Sequence, residues 1–147
     1  MPGAEVLRDG NVGDLVVCQN VLEHIEDDRS AFEEMVSALR TGGKLFLLVP
    51  ANPWLYGSLD EEFDHFRRYR KDDLLGLAAL VDLEGVNVRP FNTLGIPGWW
   101  IKGKSGRREV GNGSLRAYEA MLRFWCPIED RFEVPVGLSL ILTGWRA

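Results

Sequence analysis

The chain is poor in the residues that staple small folds or announce metal centres. Its 147 residues include two cysteines, Cys18 and Cys126, and two histidines, His24 and His65. Two cysteines make no disulfide framework, and a free thiol inside an apolar stretch acts as a small hydrophobe. Such cysteine usage fits a reducing cytoplasm, where the chain is expected to reside. Two histidines far apart in sequence are a poor metal signal, and no metal is expected. No apolar run is long enough to span a bilayer. The N-terminus lacks the basic-then-apolar pattern of a secretory signal. Internal repeats and low-complexity tracts are absent. So is an excess of positive charge: the net charge of −5 argues mildly against nucleic acid as the main partner. The basic cluster Arg67, Arg68, Arg70 and Lys71 is local and can still meet an anionic substrate.

What is there is enough for one domain with a core, since 46% of the residues are hydrophobic. Residues 1–12 carry little periodicity; Glu5-Val6-Leu7-Arg8 reads as a short strand or as part of a leader. Leu15 to Gln19 is an apolar run followed by a polar turn, the pattern of a buried parallel strand with a site loop at its end. The spacing of Phe32, Met35, Val36 and Leu39 predicts a helix from about Asp28 to Arg40. Asp27, Asp28 or Ser30 can cap it, and Gly42 and Gly43 are expected to end it. Lys44 to Val49 is apolar on both faces and predicts a central strand covered on both sides, stopped by Pro50. Residues 51–70 form a long irregular segment. A second helix is expected from Asp72 to Leu83, then a strand from Val86 to Asn92. Pro90 puts that strand at a sheet edge, because proline cannot donate a ladder hydrogen bond. Thr93 to Gly113 reads as a glycine-rich stretch around Trp99-Trp100. A third helix is expected over 114–125, and a final strand from Gly137 to Trp145. The fold class is therefore α/β.

Several stretches in order resemble one family. They begin with Asp14-Leu15-Val16-Val17, continued by Asn20-Val21-Leu22-Glu23-His24-Ile25 and Asp27-Asp28. Leu39-Arg40-Thr41-Gly42-Gly43-Lys44-Leu45 follows, then Val49-Pro50-Ala51 and Leu55-Tyr56-Gly57-Ser58-Leu59-Asp60. His65-Phe66-Arg67-Arg68-Tyr69, Asn92-x-x-Gly95-x-x-Gly98-Trp99 and Pro135-x-Gly137-x-Ser139-Leu140 complete the series. Together they resemble class I S-adenosylmethionine (SAM)-dependent methyltransferases of the type 11/12 kind, in a bacterial branch with a His-x-Arg-Arg-Tyr box. The likeness runs nearly the whole way from Gly13. It implies a partial Rossmann-like sheet of about four strands, in the order first, second, fourth, third, with the last strand antiparallel. The family's glycine-rich loop and the acidic residue after it would lie upstream, and this chain begins too late to hold them. Residues 1–147 are thus expected to be the C-terminal part of a truncated methyltransferase domain. Its first strand would be an exposed apolar edge, covered by a second copy, a partner chain or the Glu5–Arg8 segment.

The resemblance also implies a site. Gln19, Asn20, Val21, Leu22, Glu23 and His24 would face SAM; the bland reading is that Val21 and Leu22 pack into the core while Glu23 and His24 shape the turn. His65, with His24, is the candidate catalytic group, since an imidazole can take a proton from a hydroxyl or amine acceptor. Tyr56, Asp60, Arg67, Arg68, Tyr69, Asn92 and Trp99 are the candidate acceptor-binding residues. The structural alternative is that Asp60 and His65 pin the loop, Arg68 pairs with an acidic neighbour and Tyr69 caps the core. Some related O-methyltransferases bind magnesium around Glu-x-x-Glu-His, but Asn20 stands at the first acidic position here. Trp54, Tyr56, Trp99 and Trp100 can line an apolar pocket or simply supply core area. Gly111-Asn112-Gly113 reads as a turn with Ser114 as helix cap, rather than as a phosphate loop. The expected reaction is methyl transfer to a small-molecule oxygen, nitrogen or carbon; with the glycine-rich loop missing, activity of this chain alone is left open. The rival is a non-catalytic half-domain that assembles through its first strand, or one half of a split enzyme.

Overall fold

The computed structural model describes residues 12–105 and 134–147, together with residues 123, 125 and 131. Strand β1 (Gly13–Gln19) leads through helix α1 (Asp28–Ser37) into β2 (Leu39–Pro50), which pairs with it in parallel. Two short helices, α2 (Ser58–Glu62) and α3 (Lys71–Ala78), follow before β3 (Leu83–Phe91). After β3 come α4 (Gly95–Ser105) and, last in the chain, β4 (Ser139–Arg146). Strand β4 lies between β2 and β3, antiparallel to both, so the sheet runs β1-β2-β4-β3. This is the order the resemblance implies. Residues far apart in sequence thereby become neighbours: Leu47 of β2 sits opposite Leu142 of β4, which sits opposite Val88 of β3.

Strand alternation decides where the core lies, because successive side chains point to opposite faces. Cys18, Leu45, Leu47, Val49, Val88, Leu140 and Leu142 are buried on one face. Phe32 and Val36 of α1 and Leu74 and Ala78 of α3 belong to the same core. Each fully buried Leu or Phe stabilises the fold by about 1.5–3 kcal/mol. The other face is less covered. Leu15 and Val17 on β1 are 58% and 52% exposed, and Phe46 and Leu48 beside them on β2 are half-buried. The expected cover on both faces of β2 is thus complete on one side only among the described residues. Among the described residues strand β1 is an edge, and its face with Leu15 and Val17 is apolar.

Helix boundaries differ from the sequence reading for identifiable reasons. Helix α1 ends at Ser37, with the Ala38 amide donating to the Glu34 carbonyl, and Leu39 already pairs with Gly13 in the sheet. Gly42, in the left-handed region at φ 75°, therefore bends β2 instead of capping the helix. Helix α3 stops at Ala78, since turn hydrogen bonds from Leu80 to Leu77 and from Val81 to Ala78 carry the chain into β3. Helix α4 stands where a glycine-rich stretch was expected. Asn92 starts it by accepting from the Gly95 amide through its side chain, and Pro97 falls in the first turn, where a missing N–H costs nothing. Pro90 does lie on an edge strand, as expected. The Glu5–Arg8 segment, Gly111-Asn112-Gly113, Ser114 and Cys126 lie outside the described residues. So does the expected third helix, apart from residues 123 and 125, both helical. Among the described residues no helix is long and apolar enough to cross a membrane.

Candidate functional site

The site starts where β1 ends. The Asn20 amide donates to the Leu48 carbonyl at 2.9 Å, extending the β1–β2 ladder by one residue. Asn20 then turns the chain with φ 50°, a conformation that asparagine tolerates better than most residues. A short 3-10 turn over Leu22–His24 follows. Asp27 caps α1 by accepting from the Ser30 amide at 3.1 Å and its hydroxyl at 2.7 Å, which holds the Asp27 carboxyl below its ordinary pKa. Gln19, Asn20, Val21 and His24 are left exposed on this turn, whereas Leu22 and Glu23 are buried beneath it. The turn lies beyond the carboxyl end of a parallel strand, where open α/β sheets bind ligands.

The segment from Ala51 to Arg70 folds back onto this turn and is organised by one buried carboxylate. Asp60 accepts from the Gly57 amide at 3.0 Å and the Arg68 Nε at 2.8 Å, and it meets the His65 Nδ1 at 2.8 Å. Arg68 also donates to the Ala51 carbonyl at 3.0 Å, and its guanidinium lies 4.6 Å from the ring centre of Trp99. Its charge is therefore used within the protein. Tyr69 is equally committed: its hydroxyl donates to Asp28 at 2.9 Å and lies 3.3 Å from the Leu22 carbonyl. Burial, reinforced by the Asp28 charge, pushes the Tyr69 phenol far above its ordinary pKa. Arg67 pairs with Asp28 at 2.8 Å and donates to the Glu26 carbonyl at 2.6 Å. Asp28, Arg67, Arg68 and Tyr69 also line a groove of about 350 Å³ walled by Asp73 and Leu77 of α3.

Where the two segments meet, three groups converge. The amide of Phe66 donates to the Glu23 carbonyl at 2.8 Å, and the Tyr56 hydroxyl donates to the His65 carbonyl at 2.8 Å. These ties bring the rings of His24 and His65 to 4.8 Å in an edge-to-face arrangement. The His65 Nε2 stands 4.0 Å from a Glu23 carboxylate oxygen. Glu23 is fully buried, and neither of its side-chain oxygens has a hydrogen-bond partner among the described residues. Burial pushes the Glu23 carboxyl above its ordinary pKa, opposed in part by the nearby imidazoles and Arg68. Burial, reinforced by the Glu23 charge, pushes the Cys18 thiol up.

A family profile described as Methyltransferase domain matches residues 5–47, which include β1, the turn and α1. Solved structures share the fold. The chain is 14% identical to phosphoethanolamine N-methyltransferase 2 of Haemonchus contortus, solved with S-adenosyl-L-methionine, with a TM-score of 0.52, covering 90% of this chain and 33% of that one. It is 13% identical to an O-methyltransferase family protein of Burkholderia thailandensis, with a TM-score of 0.53 and coverage of 95% and 32%. A SAM-dependent methyltransferase of Archaeoglobus fulgidus gives 12% identity, a TM-score of 0.52 and coverage of 92% and 60%. The chain shares the fold of SAM-dependent methyltransferases, and its match to the methyltransferase-domain profile is confined to residues 5–47. It spans less than two thirds of the length of these structures. No curated protein gives a significant sequence match.

Within this methyltransferase fold the expected site residues separate into groups. Glu23, His24, His65, Asp60, Arg68 and Tyr56 gather at one corner. Arg67 and Tyr69 turn to Asp28. Asn92 starts α4, and Trp99 covers Arg68. Trp54 and Trp100 are mostly exposed. Asp28 and Asp64 were not anticipated in the site. Asp28 holds Arg67 and Tyr69, and Asp64 meets the His24 Nδ1 through its carbonyl at 3.3 Å. Asp28 reads locally as a helix-start acid, and a main-chain carbonyl leaves no sequence signal at all.

Proposed function

We propose that this chain contributes the methionine-side half of a SAM site and the acceptor-side base of a methyltransferase acting on a small molecule. The observation that supports it is the turn after β1. It leaves Gln19, Asn20 and Val21 exposed at the carboxyl end of the strand, with Asn20 in the left-handed region. That exposed, sharply turned backbone fits a cofactor that lies along the strand end, with Leu22 and Glu23 supporting it from below. SAM would supply an electrophilic methyl group on a sulfonium sulfur. His65 would take the acceptor's proton through its Nε2, with Asp60 holding the other ring nitrogen. Arg68 and Tyr69 tie the loop, and Arg67 is the cation of the set with the most freedom to meet an acidic acceptor group, being about one-third exposed. The acceptor class, and residence in the cytoplasm, belong to the same proposal.

A second reading, assembly as a half-domain or as one part of a split enzyme, is favoured by exposed Leu15 and Val17 on edge strand β1. One experiment separates the two readings. The purified chain is titrated with SAM in a calorimeter, and its mass is measured by light scattering on the same sample. Binding near micromolar affinity, about −8 kcal/mol, that is weakened in Asn20→Val is the expected result. A folded chain that binds no SAM but self-associates through β1 would overturn the catalytic reading for this chain.

A further inference from the structure

The corner beneath the turn contains a feature that methyl transfer does not require. Glu23 buries a carboxylate completely, with both oxygens unpartnered among the described residues. Leaving such a group unsatisfied is unfavourable, and native proteins rarely do so without a ligand or a role. Two imidazoles face it. One candidate ligand atom from each of Glu23, His24 and His65 lies within 4.8 Å of the other two.

Each imidazole is already oriented. The Nδ1 of His65 is held by Asp60 at 2.8 Å, and Asp60 is itself braced by Arg68 and the Gly57 amide. The Nδ1 of His24 rests against the Asp64 carbonyl at 3.3 Å. Among the described residues this leaves Nε2 of both rings without a hydrogen bond, the His65 Nε2 standing 4.0 Å from Glu23. A carboxylate or carbonyl on the distal nitrogen is how metal-binding histidines are usually positioned and made more basic.

We infer that Glu23, His24 and His65 form a binding site for a zinc-class divalent cation. Two imidazole nitrogens and one carboxylate are a borderline ligand set, suited to zinc and poorly suited to magnesium, which favours all-oxygen shells. Metal–ligand distances of about 2.0–2.2 Å require the three atoms to close in by roughly an ångström. His24 is exposed and has room to make that movement, while Glu23 and His65 are fixed by their surroundings. The exposed side of His24 leaves a coordination position open to solvent.

The inference does not depend on the methyl-transfer reading, and where a cation is bound it replaces His65 as the group that promotes loss of the acceptor's proton. It does alter the chemistry at this corner. With a cation bound, the His65 lone pair is occupied. A hydroxyl at the open position would then be acidified by the cation and lose its proton to water.

The test uses the full chain, stripped with chelator, and zinc chloride alone, without SAM. Calorimetry at pH 7.5 is expected to give one zinc per chain at micromolar affinity or tighter, with magnesium chloride far weaker. Glu23→Gln and His24→Ala are each expected to weaken zinc at least about tenfold while keeping the wild-type circular dichroism. Zinc should raise Tm in the wild type and not in either variant. Failure of the folded wild-type chain to bind zinc would overturn the site. So would binding that both variants leave unchanged, or a preference for magnesium.

Discussion

Replacing Glu23 by Gln should stabilise the metal-free protein at neutral pH, against the usual expectation for a fully buried residue. The carboxyl is buried and lacks hydrogen-bond partners among the described residues, and burial raises its pKa above the unfolded-chain value of 4.5. The sign follows from linkage. The folded chain holds the Glu23 proton more tightly than the unfolded chain, so this group's contribution to stability is fully present below pH 4.5 and is lost as pH rises through the folded pKa. At pH 7.5 the protein carries that loss, and glutamine, which cannot ionise, does not. An unpartnered buried polar group costs about 1–3 kcal/mol. Because the glutamine amide is itself not fully satisfied, the lower part of that range applies, a gain of about 1–2 kcal/mol. For a chain of this size each kcal/mol moves Tm by about 2–4 °C. Thermal unfolding in chelator should therefore show Glu23→Gln melting a few degrees above wild type at pH 7.5, with the gap closing by pH 4. A variant that melts lower than wild type at pH 7.5 in chelator would refute this reasoning. It would mean that the surroundings of the carboxylate, with the His65 ring nitrogen 4.0 Å away, stabilise it more than burial penalises it.

Three further substitutions probe the frame around the site. Tyr69→Phe removes a hydroxyl that donates to Asp28, and urea unfolding should show a loss of about 1–2 kcal/mol at pH 8. Because the folded phenol resists ionisation, wild-type stability should fall as pH rises above 10, and the phenylalanine variant should lack that fall. Gly137→Ala would put a Cβ 2.4 Å from the Phe91 amide nitrogen and carbonyl oxygen, so β3 must shift. Denaturant unfolding should show a cost of about 1–3 kcal/mol, and a neutral result would mean the two segments do not pack this closely. Asp27→Ala removes the cap of α1 and should lower Tm at pH 7. As the folded carboxyl has a lowered pKa, its contribution is present above pH 3.8 and lost as pH falls further, so variant and wild type should converge in acid.

Much of this protein is legible in its sequence because the relevant forces are local. The apolar run ending at Gln19, the i, i+3, i+4, i+7 stripe of α1 and the run of β2 follow from side-chain periodicity. Pro90 places β3 at an edge because proline lacks an amide hydrogen. The insertion of β4 between β2 and β3 follows from family resemblance, since no local rule orders strands that are far apart in the chain. Tertiary structure decided the rest. Leu39 fits the helical stripe, but its backbone finds partners in the sheet, so α1 is shorter than its apolar pattern and Gly42 bends a strand. Asn92 and Gly95 serve the start and close packing of α4, a helix that glycine concealed. His24 and His65 are separated by forty residues and read as a poor metal signal. The folding back of the Ala51–Arg70 segment, through main-chain hydrogen bonds invisible in side-chain identity, sets their rings 4.8 Å apart over a buried carboxylate.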